Sequence, residues 1–335
     1  MRYLNLFRRI EYFKRHLWTF LPYLTIPKAT NLLLNIVEMK NRSADTRSLP
    51  PYIKIEPSPV CQLKCPACKS SKVNSLLAKQ FPDSVYLTLD NFKKILDPLS
   101  HTLLGISMSY DGEPLLASNI ISLIEYAHSK NVAVHFPSNM SVELDINKID
   151  GIVKSGLDSI LISLDGASEE TYKQYRVGGQ FHTILKNVKA LSEAKQKFGL
   201  RRPRLIWKFI IFKHNQHEVP LVQKIYSSLG FDDYEIVLDV KNKNRKKLMH
   251  NGLDYTATKK SCFWLWHTMV ICWNGDIQPC CIRKHDNIGN AIAQNSDGIW
   301  HGEIYRALRE GFSKRGYGEK MNIVCSKCMG ISNSE

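Results

Sequence analysis

The 335-residue chain lacks several features of secreted and membrane proteins. No apolar run is long enough to cross a bilayer, because Pro22 and Pro27 interrupt the apolar segment near the N-terminus. No small-residue cleavage site follows that segment, so we expect no signal peptide. Cysteine is absent between Cys68 and Cys262, and the total of nine is odd, which argues against a disulfide framework. We therefore expect a cytoplasmic protein whose cysteines bind metal.

The chain has fewer acidic than basic residues, and most of the difference lies in two stretches. The net charge is +15 at pH 7. Residues 1–60 contain ten Lys and Arg against four Asp and Glu, and residues 241–260 contain seven against one. Such stretches suit an anionic substrate, a nucleic acid or a membrane surface, although solvated basic faces without a dedicated partner are at least as common. No RNA-binding module is recognisable, which argues against nucleic acid as the partner.

The first 50 residues form a predicted N-terminal unit of basic amphipathic helices. Apolar residues recur at helical spacing in its first part, with basic residues among them. The apolar positions are Leu6, Ile10, Phe13, Leu17 and Phe20, and the basic ones are Arg8, Arg9, Lys14 and Arg15. A second helix is predicted over residues 28–39, followed by a polar linker over 41–51. Peripheral membrane contact by residues 1–21 is one interpretation, but a helical lid packed on the main domain is favoured.

Short apolar runs alternate with helical patterns between residues 51 and 240. The predicted strands are 52–56, 103–110, 131–137, 158–164, 204–212 and 234–238. The predicted helices lie near 90–98, 116–129, 145–154, 168–174, 182–198 and 216–229, and Thr88 or Asp90 can cap the first of them. This order predicts an α/β fold, a partial (β/α)6 barrel of parallel strands with chemistry at their C-terminal ends. Residues 241–335 then form a linker and a small cysteine-rich C-terminal auxiliary domain.

Three cysteines follow the first predicted strand. Cys61, Cys65 and Cys68 have C-x3-C-x2-C spacing. Their thiolates can hold three irons of a 4Fe–4S cluster, which leaves the fourth iron free to bind another molecule. A structural zinc site is the alternative, but zinc usually takes two separated pairs of ligands, and the fourth local ligand is missing here.

This cysteine loop resembles the signature of radical S-adenosylmethionine (SAM) enzymes, and the end of the second predicted strand supports the resemblance. There Asp111-Gly112-Glu113-Pro114 is similar to the family's Gly-Gly-Glu-Pro motif, with Asp in place of the first Gly. The resemblance implies that Gly112, Glu113 and Pro114 bind the amino group of SAM.

The ends of the third and fourth predicted strands carry further elements of the family. Ser138 and Asn139 resemble a segment that usually reads Ser/Thr-Asn-Gly and lies near the cofactor, with Met140 in the place of Gly. Ser163 and Asp165 resemble a Ser-x-Asp-Gly element that meets the ribose and carboxylate of SAM.

Two other positions match the family less directly. Arg176 stands where the family often has an Arg near the SAM carboxylate, which a guanidinium can bind bidentately. Asn215 and Glu218 match a common pattern after the fifth strand, but a helix cap by Asn215 is the favoured interpretation.

A second group of cysteines lies near the C-terminus. Cys262 and Cys280 precede a C-x2-C pair, Cys325 and Cys328. Four thiolates can close a 4Fe–4S cluster or a zinc site, and taken alone these residues leave both open. Asn274-Gly275 predicts a type I′ turn in a hairpin that would return Cys280 towards Cys262.

This second group resembles the auxiliary-cluster domain of radical SAM enzymes, in its short single-cluster "twitch" form rather than the longer SPASM form. The resemblance implies that the four cysteines bind a second 4Fe–4S cluster. Cys272 is interpreted as a buried hydrophobic residue. Cys281 could be an alternative ligand, a hydrogen-atom donor or an inert neighbour, and the inert interpretation is favoured.

The family's chemistry follows from the resemblance. SAM chelates the open iron, and one electron from an external flavodoxin- or ferredoxin-type donor cleaves it to methionine and a 5′-deoxyadenosyl radical. The radical abstracts hydrogen from an unactivated substrate carbon, while the protein places that carbon and excludes water. An auxiliary cluster can take the substrate's second electron.

Our first hypothesis is an oxidoreductase acting on a small polar or anionic metabolite, such as a sugar, an aminocyclitol or a nucleotide-linked compound. The alternative is a radical epimerase, which Cys281 as donor would favour, or a peptide-modifying enzyme, although no N-terminal peptide-binding domain is apparent. A third hypothesis is a non-catalytic zinc or nucleic-acid-binding protein, which predicts zinc instead of iron and binding that weakens steeply with salt.

Overall fold

Eight strands form one sheet in the described part of this computed structural model. The structure describes residues 19–66, 68, 85–238, 262–280 and 287–313. The strands are β1 (Tyr52–Ile55), β2 (Gly105–Met108), β3 (Ala133–Ser138), β4 (Ser159–Ser163), β5 (Arg204–Ile211), β6 (Asp233–Leu238), β7 (Thr268–Ile271) and β8 (Ile277–Gln278). Their order is β6-β5-β4-β3-β2-β1-β7-β8, and neighbours run parallel except for the antiparallel pair β7 and β8. The predicted α/β fold with a parallel sheet is confirmed.

The described helices between β1 and β6 lie where the sequence predicts them. The described helices of the chain are α1 (Ile26–Asn41), α2 (Leu89–Leu96), α3 (Ile120–Ser129), α4 (Ile146–Lys154), α5 (Glu169–Lys173), α6 (Phe181–Lys197), α7 (Val219–Ile225), α8 (Phe263–His267), α9 (Ser296–Trp300) and α10 (Glu303–Ser313). Short 3-10 turns at Leu21–Tyr23, Pro114–Leu116, Gln216–Glu218 and Ser227–Leu229 supplement them. Thr88 caps α2 as predicted, because its hydroxyl accepts a hydrogen bond from the Asn91 N–H at 3.3 Å.

Successive side chains along each strand point to opposite sides, so the sheet has two different faces. One face packs with helix residues into one apolar core, and its buried residues include Ile53, Ile106, Phe136, Ile162 and Trp207. The other face is only partly covered and is polar at five positions, Lys54, Ser107, His135, Ser163 and Lys208. We call these five residues the open face. The described helices therefore cover one side of the sheet and leave the other partly exposed.

The chain before α1 is anchored at the N-terminal ends of the strands. The Phe20 ring packs edge-on against the Tyr52 ring at the start of β1, with centroids 5.0 Å apart. The Tyr23 hydroxyl donates to Asp158 Oδ1 at 2.9 Å, just before β4. These contacts lie at the opposite edge of the sheet from the cysteine loop.

The predicted linker over residues 41–51 is a packed loop that joins the N-terminal segment to the C-terminal helices. The indole N–H of Trp300 donates to the Ser48 carbonyl at 2.8 Å. The indole N–H of Trp266 donates to the Ser43 carbonyl at 2.9 Å. Local composition reads as a linker because these partners are more than 200 residues away along the chain.

The C-terminal hairpin joins the barrel sheet. Strand β7 pairs in parallel with β1, with Ile271 in register with Ile55, so β7 and β8 extend the sheet beyond the six predicted strands. Only its pairing with β1, which is distant in sequence, makes this short segment part of the barrel.

The turn of this hairpin differs from the predicted type. Gly275 has a φ of 87°, whereas Asn274 does not have a positive φ. The Gly275 N–H donates to the Cys272 carbonyl at 2.9 Å, and the Cys272 N–H donates to the Asp276 carbonyl at 2.8 Å. The type I′ prediction is wrong, because that turn needs positive φ at both central residues; a type I turn followed by a left-handed glycine forms instead.

No helix among the described residues is both long enough and apolar enough to span a bilayer. Several predictions fall outside the described residues: the helix within residues 1–18, the linker over 241–260, and Cys281, Cys325 and Cys328.

Candidate active site

The cysteine loop leaves β1 at the C-terminal edge of the sheet. Cys65 is buried, Cys61 is half-buried and Cys68 is exposed. The N–H of Lys64 donates to the Val177 carbonyl at 2.9 Å, which ties the loop to the segment after α5. The N–H of Cys68 donates to the Cys65 carbonyl at 3.0 Å, so the chain turns tightly between these two cysteines.

The three thiols influence one another electrostatically. Burial raises the pKa of Cys61 to about 11, and the charges of Glu113, Cys65 and Cys68 add to that shift. Burial also raises the pKa of Cys65, while the Arg176 guanidinium opposes the shift. Because the thiolate is the metal-binding form, iron would displace protons from these sulfurs.

The donor set is three thiols on one loop, Cys61, Cys65 and Cys68, which is the ligand chemistry of a 4Fe–4S cluster. A 4Fe–4S cluster binds each thiolate at a different iron, so its cysteines surround a volume instead of meeting at one point. Three mutually interacting thiols on one loop meet that requirement.

The turn after β2 packs directly on the chain that leads into the cysteine loop. A Cβ at Gly112 would lie 2.0 Å from the Ser58 carbonyl oxygen and 2.7 Å from that of Val60, so only glycine fits. The N–H of Glu113 donates to the Val60 carbonyl at 2.7 Å. Pro114 is buried and begins the following 3-10 turn. The predicted SAM-binding turn and the cysteine loop therefore form one packed unit.

The Glu113 carboxylate connects the turn after β2 to the end of β3. It is buried and accepts hydrogen bonds from the Ser138 hydroxyl at 2.7 Å, the Asn139 N–H at 2.7 Å and the Leu115 N–H at 3.1 Å. Burial raises its pKa, and these donors oppose the shift. A carboxylate has about four acceptor positions, so one is left for an amine. The direct contact with SAM stays a prediction.

Asn139 connects the end of β3 to the cysteine loop. Its Nδ2 lies 3.7 Å from the Cys61 sulfur and 3.3 Å from Gln62 Oε1. Gln62 returns a hydrogen bond from Nε2 to Asn139 Oδ1 at 3.0 Å. No role was predicted for Gln62 from the sequence, although its position between two cysteines was a signal for one.

Met140 occupies the position where the family usually has Gly. It is fully buried and has a φ of 54°, in the left-handed region. A non-glycine residue there costs roughly 1–2 kcal/mol. The backbone therefore keeps the glycine conformation although the side chain has changed.

Asp165 and Arg176 form an ion pair at the end of β4. Arg176 Nε donates to Asp165 Oδ2 at 2.6 Å, and the N–H of Ile210 donates to Oδ1 at 2.8 Å. The carboxylate thus fixes Arg176 beside Cys65 and braces β5. Ser163 lies on the open face. The predicted contacts of these residues with SAM stay predictions.

Asn215 is a buried brace and not the favoured helix cap. Its Oδ1 accepts from the Phe212 N–H at 2.6 Å, and its Nδ2 donates to the carbonyls of Asp165 at 3.0 Å and Ile210 at 2.8 Å. It makes no side-chain hydrogen bond that caps the following 3-10 turn. The cap interpretation is wrong because the carboxamide connects the ends of β4 and β5, a contact that local sequence does not reveal.

Glu218 makes a second connection between the loops after β4 and β5. Its carboxylate accepts from the Ala167 N–H at 2.8 Å and the Ser168 hydroxyl at 3.0 Å. The pair formed by Glu218 and Asn215 thus holds the segment that carries Asp165.

Glu56 is a structural site residue that the sequence analysis missed. It follows β1, is almost fully buried, and accepts from the Asp111 N–H at 2.9 Å. Its own N–H donates to the Ile271 carbonyl at 2.9 Å. One residue thus links β1, β7 and the turn after β2. An acidic residue between an apolar strand and a cysteine loop was the available signal.

The described cysteines of the C-terminal group lie on the hairpin and at its flanks. Cys262 precedes α8 and Cys280 follows β8, and both are half-buried. Cys272, predicted to be buried, is also half-buried, and burial together with the Glu56 charge raises its pKa. Because β7 lies beside β1, Cys272 stands at the same sheet edge as the cysteine loop. The remaining predicted ligands lie outside the described residues.

Family models identify the class of protein. Residues 55–201 match the model described as the radical SAM superfamily. Residues 262–329 match SPASM, described as an iron-sulfur cluster-binding domain. The chain belongs to the radical SAM superfamily and carries a SPASM-type domain. The predicted SPASM/twitch-type auxiliary domain is confirmed, whereas the preference for the short twitch form stays a prediction. Its cofactors are SAM and 4Fe–4S clusters.

Curated relatives match part of the chain. It is 24% identical over 142 residues to GTP 3′,8-cyclase of Desulforamulus reducens, covering 42% of each protein. It is 23% identical over 177 residues to AdoMet-dependent heme synthase of Methanosarcina barkeri, covering 52% of this chain and 47% of the relative. It is 24% identical over 202 residues to PqqA peptide cyclase of Bradyrhizobium diazoefficiens, covering 60% and 50%. The chain spans about half the length of these relatives.

Solved structures support the same fold. SuiB of Streptococcus suis has a TM-score of 0.62 at 15% identity, covering 84% of this chain and 72% of SuiB. The structure of anSMEcpe with bound AdoMet has a TM-score of 0.54 at 14% identity, covering 79% and 81%. At such identities the similarity establishes the fold and leaves the substrate open.

Proposed function

We propose that this radical SAM enzyme is an oxidoreductase that removes hydrogen from a small polar or anionic metabolite, such as a sugar, an aminocyclitol or a nucleotide-linked compound. When bound, the first cluster and SAM supply the 5′-deoxyadenosyl radical that abstracts hydrogen from carbon. Cys61, Cys65 and Cys68 would hold that cluster, and Cys262, Cys280, Cys325 and Cys328 the second one. A two-electron oxidation also needs an acceptor for the substrate's second electron, and the second cluster is the acceptor in this proposal.

The surrounding residues would position SAM and the first cluster. Gly112 lets the turn after β2 approach the cysteine loop, and Glu113 keeps an acceptor position for the SAM amine. Asn139 donates to the Cys61 sulfur. Arg176 places a cation next to Cys65, held there by Asp165, and its remaining N–H groups suit a carboxylate.

The open face is the observation that supports the substrate class. Lys54, Ser107 and His135 are register neighbours across β1, β2 and β3. Ser163 and Lys208 are register neighbours across β4 and β5. Cationic and hydroxyl side chains on a partly exposed sheet face suit phosphate, carboxylate and hydroxyl groups of a polar substrate.

The open face is not uniformly basic. Glu235 on β6 is the register neighbour of Lys208. This mixture suits a substrate that carries hydroxyl or amino groups together with an anionic group.

Peptide modification is the second candidate, and the names of relatives favour it. Besides PqqA peptide cyclase, the chain is 28% identical over 159 residues to mycofactocin maturase MftC of Mycolicibacterium smegmatis, covering 48% of this chain and 38% of that protein. SuiB has also been solved bound to its precursor peptide SuiA, with a TM-score of 0.60 at 16% identity, covering 90% of this chain and 74% of that chain. Epimerisation with Cys281 as donor is a third outcome of the same test.

Iron and sulfide analysis after anaerobic reconstitution tests the cofactor assignment. We expect about eight irons per chain in the wild type and about four in the Cys61/Cys65/Cys68→Ala variant. Cys272→Ala is the matched control and should keep the wild-type content. If the triple variant contains zinc instead of iron, the proposed second cluster is wrong. If the wild type contains zinc and no iron, the whole proposal is refuted.

SAM cleavage with substrate pools tests the substrate class. We expect nucleotide sugars, sugar phosphates or aminocyclitols to increase 5′-deoxyadenosine formation and to yield a product lighter by a pair of hydrogen atoms. Lys54→Met and Lys208→Met should reduce that stimulation at unchanged iron content. Stimulation by peptides alone would favour the second candidate, and a product of unchanged mass and inverted configuration would favour epimerisation.

A further inference from the structure

Helix α1 has an inverted pattern of burial. Its buried residues are Lys28, Asn31, Asn35 and Glu38, all polar or charged. Its exposed face carries Ile26, Leu33 and Val37, which we call the apolar stripe. Ile26 is 85% exposed, Leu33 65% and Val37 52%. A helix on the surface of a soluble domain normally turns its apolar side inward, so this arrangement requires a reason.

Specific hydrogen bonds hold the polar side of α1 inward. Asn31 and Leu49 exchange two of them: Asn31 Nδ2 donates to the Leu49 carbonyl at 3.0 Å, and the Leu49 N–H donates to Asn31 Oδ1 at 2.8 Å. The Asn35 amide donates to the Ser48 hydroxyl at 2.9 Å. The Lys28 ammonium donates to the Asn131 carbonyl.

Rotating α1 to bury the apolar stripe would break these bonds and leave buried polar groups without partners. The loop over residues 41–51 is itself packed against the C-terminal helices, as described above. The hydrogen bonds on the inner side of α1 thus fix the orientation in which the apolar stripe faces outward.

The three stripe residues form one line along the helix. Their positions are seven and four residues apart, which places them on the same side of an α-helix. Leu21 and Leu24, just before the helix, are also largely exposed, at 47% and 44%. An exposed apolar surface of this kind marks an interaction site.

Charge indicates what covers this surface. Glu38 is the sole acidic residue of α1, all of which is described, and its carboxylate is turned inward to accept from the Arg47 N–H at 2.7 Å. Lys40 is exposed at the C-terminal end of the helix. Upstream, residues 1–18 carry five Lys and Arg against one Glu.

We propose that α1 is a membrane-docking element whose apolar stripe enters the interface of an anionic lipid bilayer. An apolar line without exposed acidic residues, next to basic sequence, is the combination that binds such a surface. In this arrangement α1 would lie against the membrane. The cysteine loop would lie at the opposite edge of the sheet from Phe20 and Tyr23, which anchor the chain just before α1.

Vesicle flotation of the full-length reconstituted protein tests this proposal. We expect it to bind vesicles of equal parts phosphatidylcholine and phosphatidylglycerol. Ile26→Gln/Leu33→Gln/Val37→Gln removes the apolar stripe without changing charge, and we expect its affinity for these vesicles to fall roughly tenfold or more. Wild-type iron content in the variant shows that it is folded.

A matched control uses three exposed apolar residues elsewhere. Leu200→Gln/Leu221→Gln/Ile304→Gln replaces side chains that are 42%, 45% and 47% exposed. This variant should bind vesicles as the wild type does. Absence of binding by the wild type, an equal loss in both variants, or equal binding to pure phosphatidylcholine vesicles would each overturn the proposal.

Photocross-linking distinguishes the lipid from other occupants of the apolar stripe. With p-benzoylphenylalanine in place of Leu33, irradiation with anionic vesicles should give a lipid adduct. An adduct to residues 1–18 of the same chain would assign the stripe to that segment instead. An adduct to a second copy would assign it to a dimer interface. Either result would overturn membrane docking.

Discussion

Asn139 provides a hydrogen-bond donor to the Cys61 sulfur. Its amide donates to that sulfur at 3.7 Å and is held in place by Gln62. Hydrogen bonds to cluster sulfurs stabilise the reduced, more negative state and thereby raise the reduction potential. With a cluster bound at Cys61, this side chain would affect how readily that cluster accepts the electron that SAM cleavage requires.

Asn139→Ala should lower the reduction potential of the cluster that we propose at Cys61, Cys65 and Cys68, because the donor to Cys61 is lost. A redox titration followed by electron paramagnetic resonance measures the midpoint. Ser141→Ala is the control, since it leaves the Asn139 amide present. An unchanged midpoint in Asn139→Ala at full iron content would refute this role.

Gly112 determines how closely the turn after β2 can approach the cysteine loop. In Gly112→Ala the new Cβ would meet backbone atoms of Ser58, Pro59 and Val60 at 2.0–2.7 Å, and backbone cannot yield as a side chain can. We expect SAM binding to weaken at least about tenfold, measured by calorimetry, with loss of about 2 kcal/mol in stability.

Gly298→Ala is the matched control for Gly112→Ala. No atom lies within 4 Å of a Cβ built at Gly298, which is in α9. Alanine there should be neutral or stabilise by up to about 1 kcal/mol. Equal SAM affinity in both variants would show that the close approach at Gly112 is not needed.

At the scale of elements, the contact between α1 and α8 combines a buried amide with a buried imidazole. His267 Nδ1 contacts Asn35 Oδ1, and burial lowers the pKa of His267 to about 4. Between pH 6.5 and 4, the unfolded chain binds a proton that the folded chain does not. The low pKa of His267 therefore decreases the free energy of unfolding as the pH falls from 6.5 to 4, and it has no such effect above pH 6.5.

His267→Gln should remove this acid sensitivity. We expect the free energy of unfolding of the wild type to fall by up to about 3 kcal/mol more than that of the variant between pH 6.5 and 4. Chemical denaturation at several pH values measures both curves. Parallel curves over this interval would show that His267 is not buried in its neutral form.

At the scale of the whole molecule, one sheet joins the barrel to the C-terminal hairpin. Strand β7 lies beside β1, and Trp266 and Trp300 connect the C-terminal helices to residues 41–51. Shared strands and shared polar contacts predict that the barrel and the hairpin unfold cooperatively.

Ile271→Ala in β7 tests this cooperation. Ile271 is fully buried beside Ile55, so the change should cost about 2–5 kcal/mol. Thermal unfolding should remain a single transition, at a lower temperature, with loss of barrel circular dichroism and iron release shifted together. Ile304→Ala, at a position 47% exposed, should leave both nearly unchanged. Two separate transitions would contradict the cooperative unit.

Local patterns in the sequence were sufficient to predict the six central strands, most of their helices and the family. Strand alternation, the Thr88 cap and the cysteine spacing depend on neighbours a few residues apart, so they can be found without knowledge of the fold. Gly112 and Glu113 were singled out because the turn after β2 resembles a motif of the family, and the structure packs this turn on the chain that leads into the cysteine loop. Their contact with SAM stays a prediction.

The partners of the remaining residues could be found only in the folded chain. Asn215 braces two strand ends instead of capping a helix, Asn35 and Glu38 of α1 point inward, and β7 extends the sheet. Each of these outcomes depends on groups far away in the chain. A buried polar side chain forms a hydrogen bond with whichever group folding brings close to it, and a short strand pairs with whichever sheet edge is free. The local sequence therefore predicts neither the hydrogen-bond partner nor the neighbouring strand.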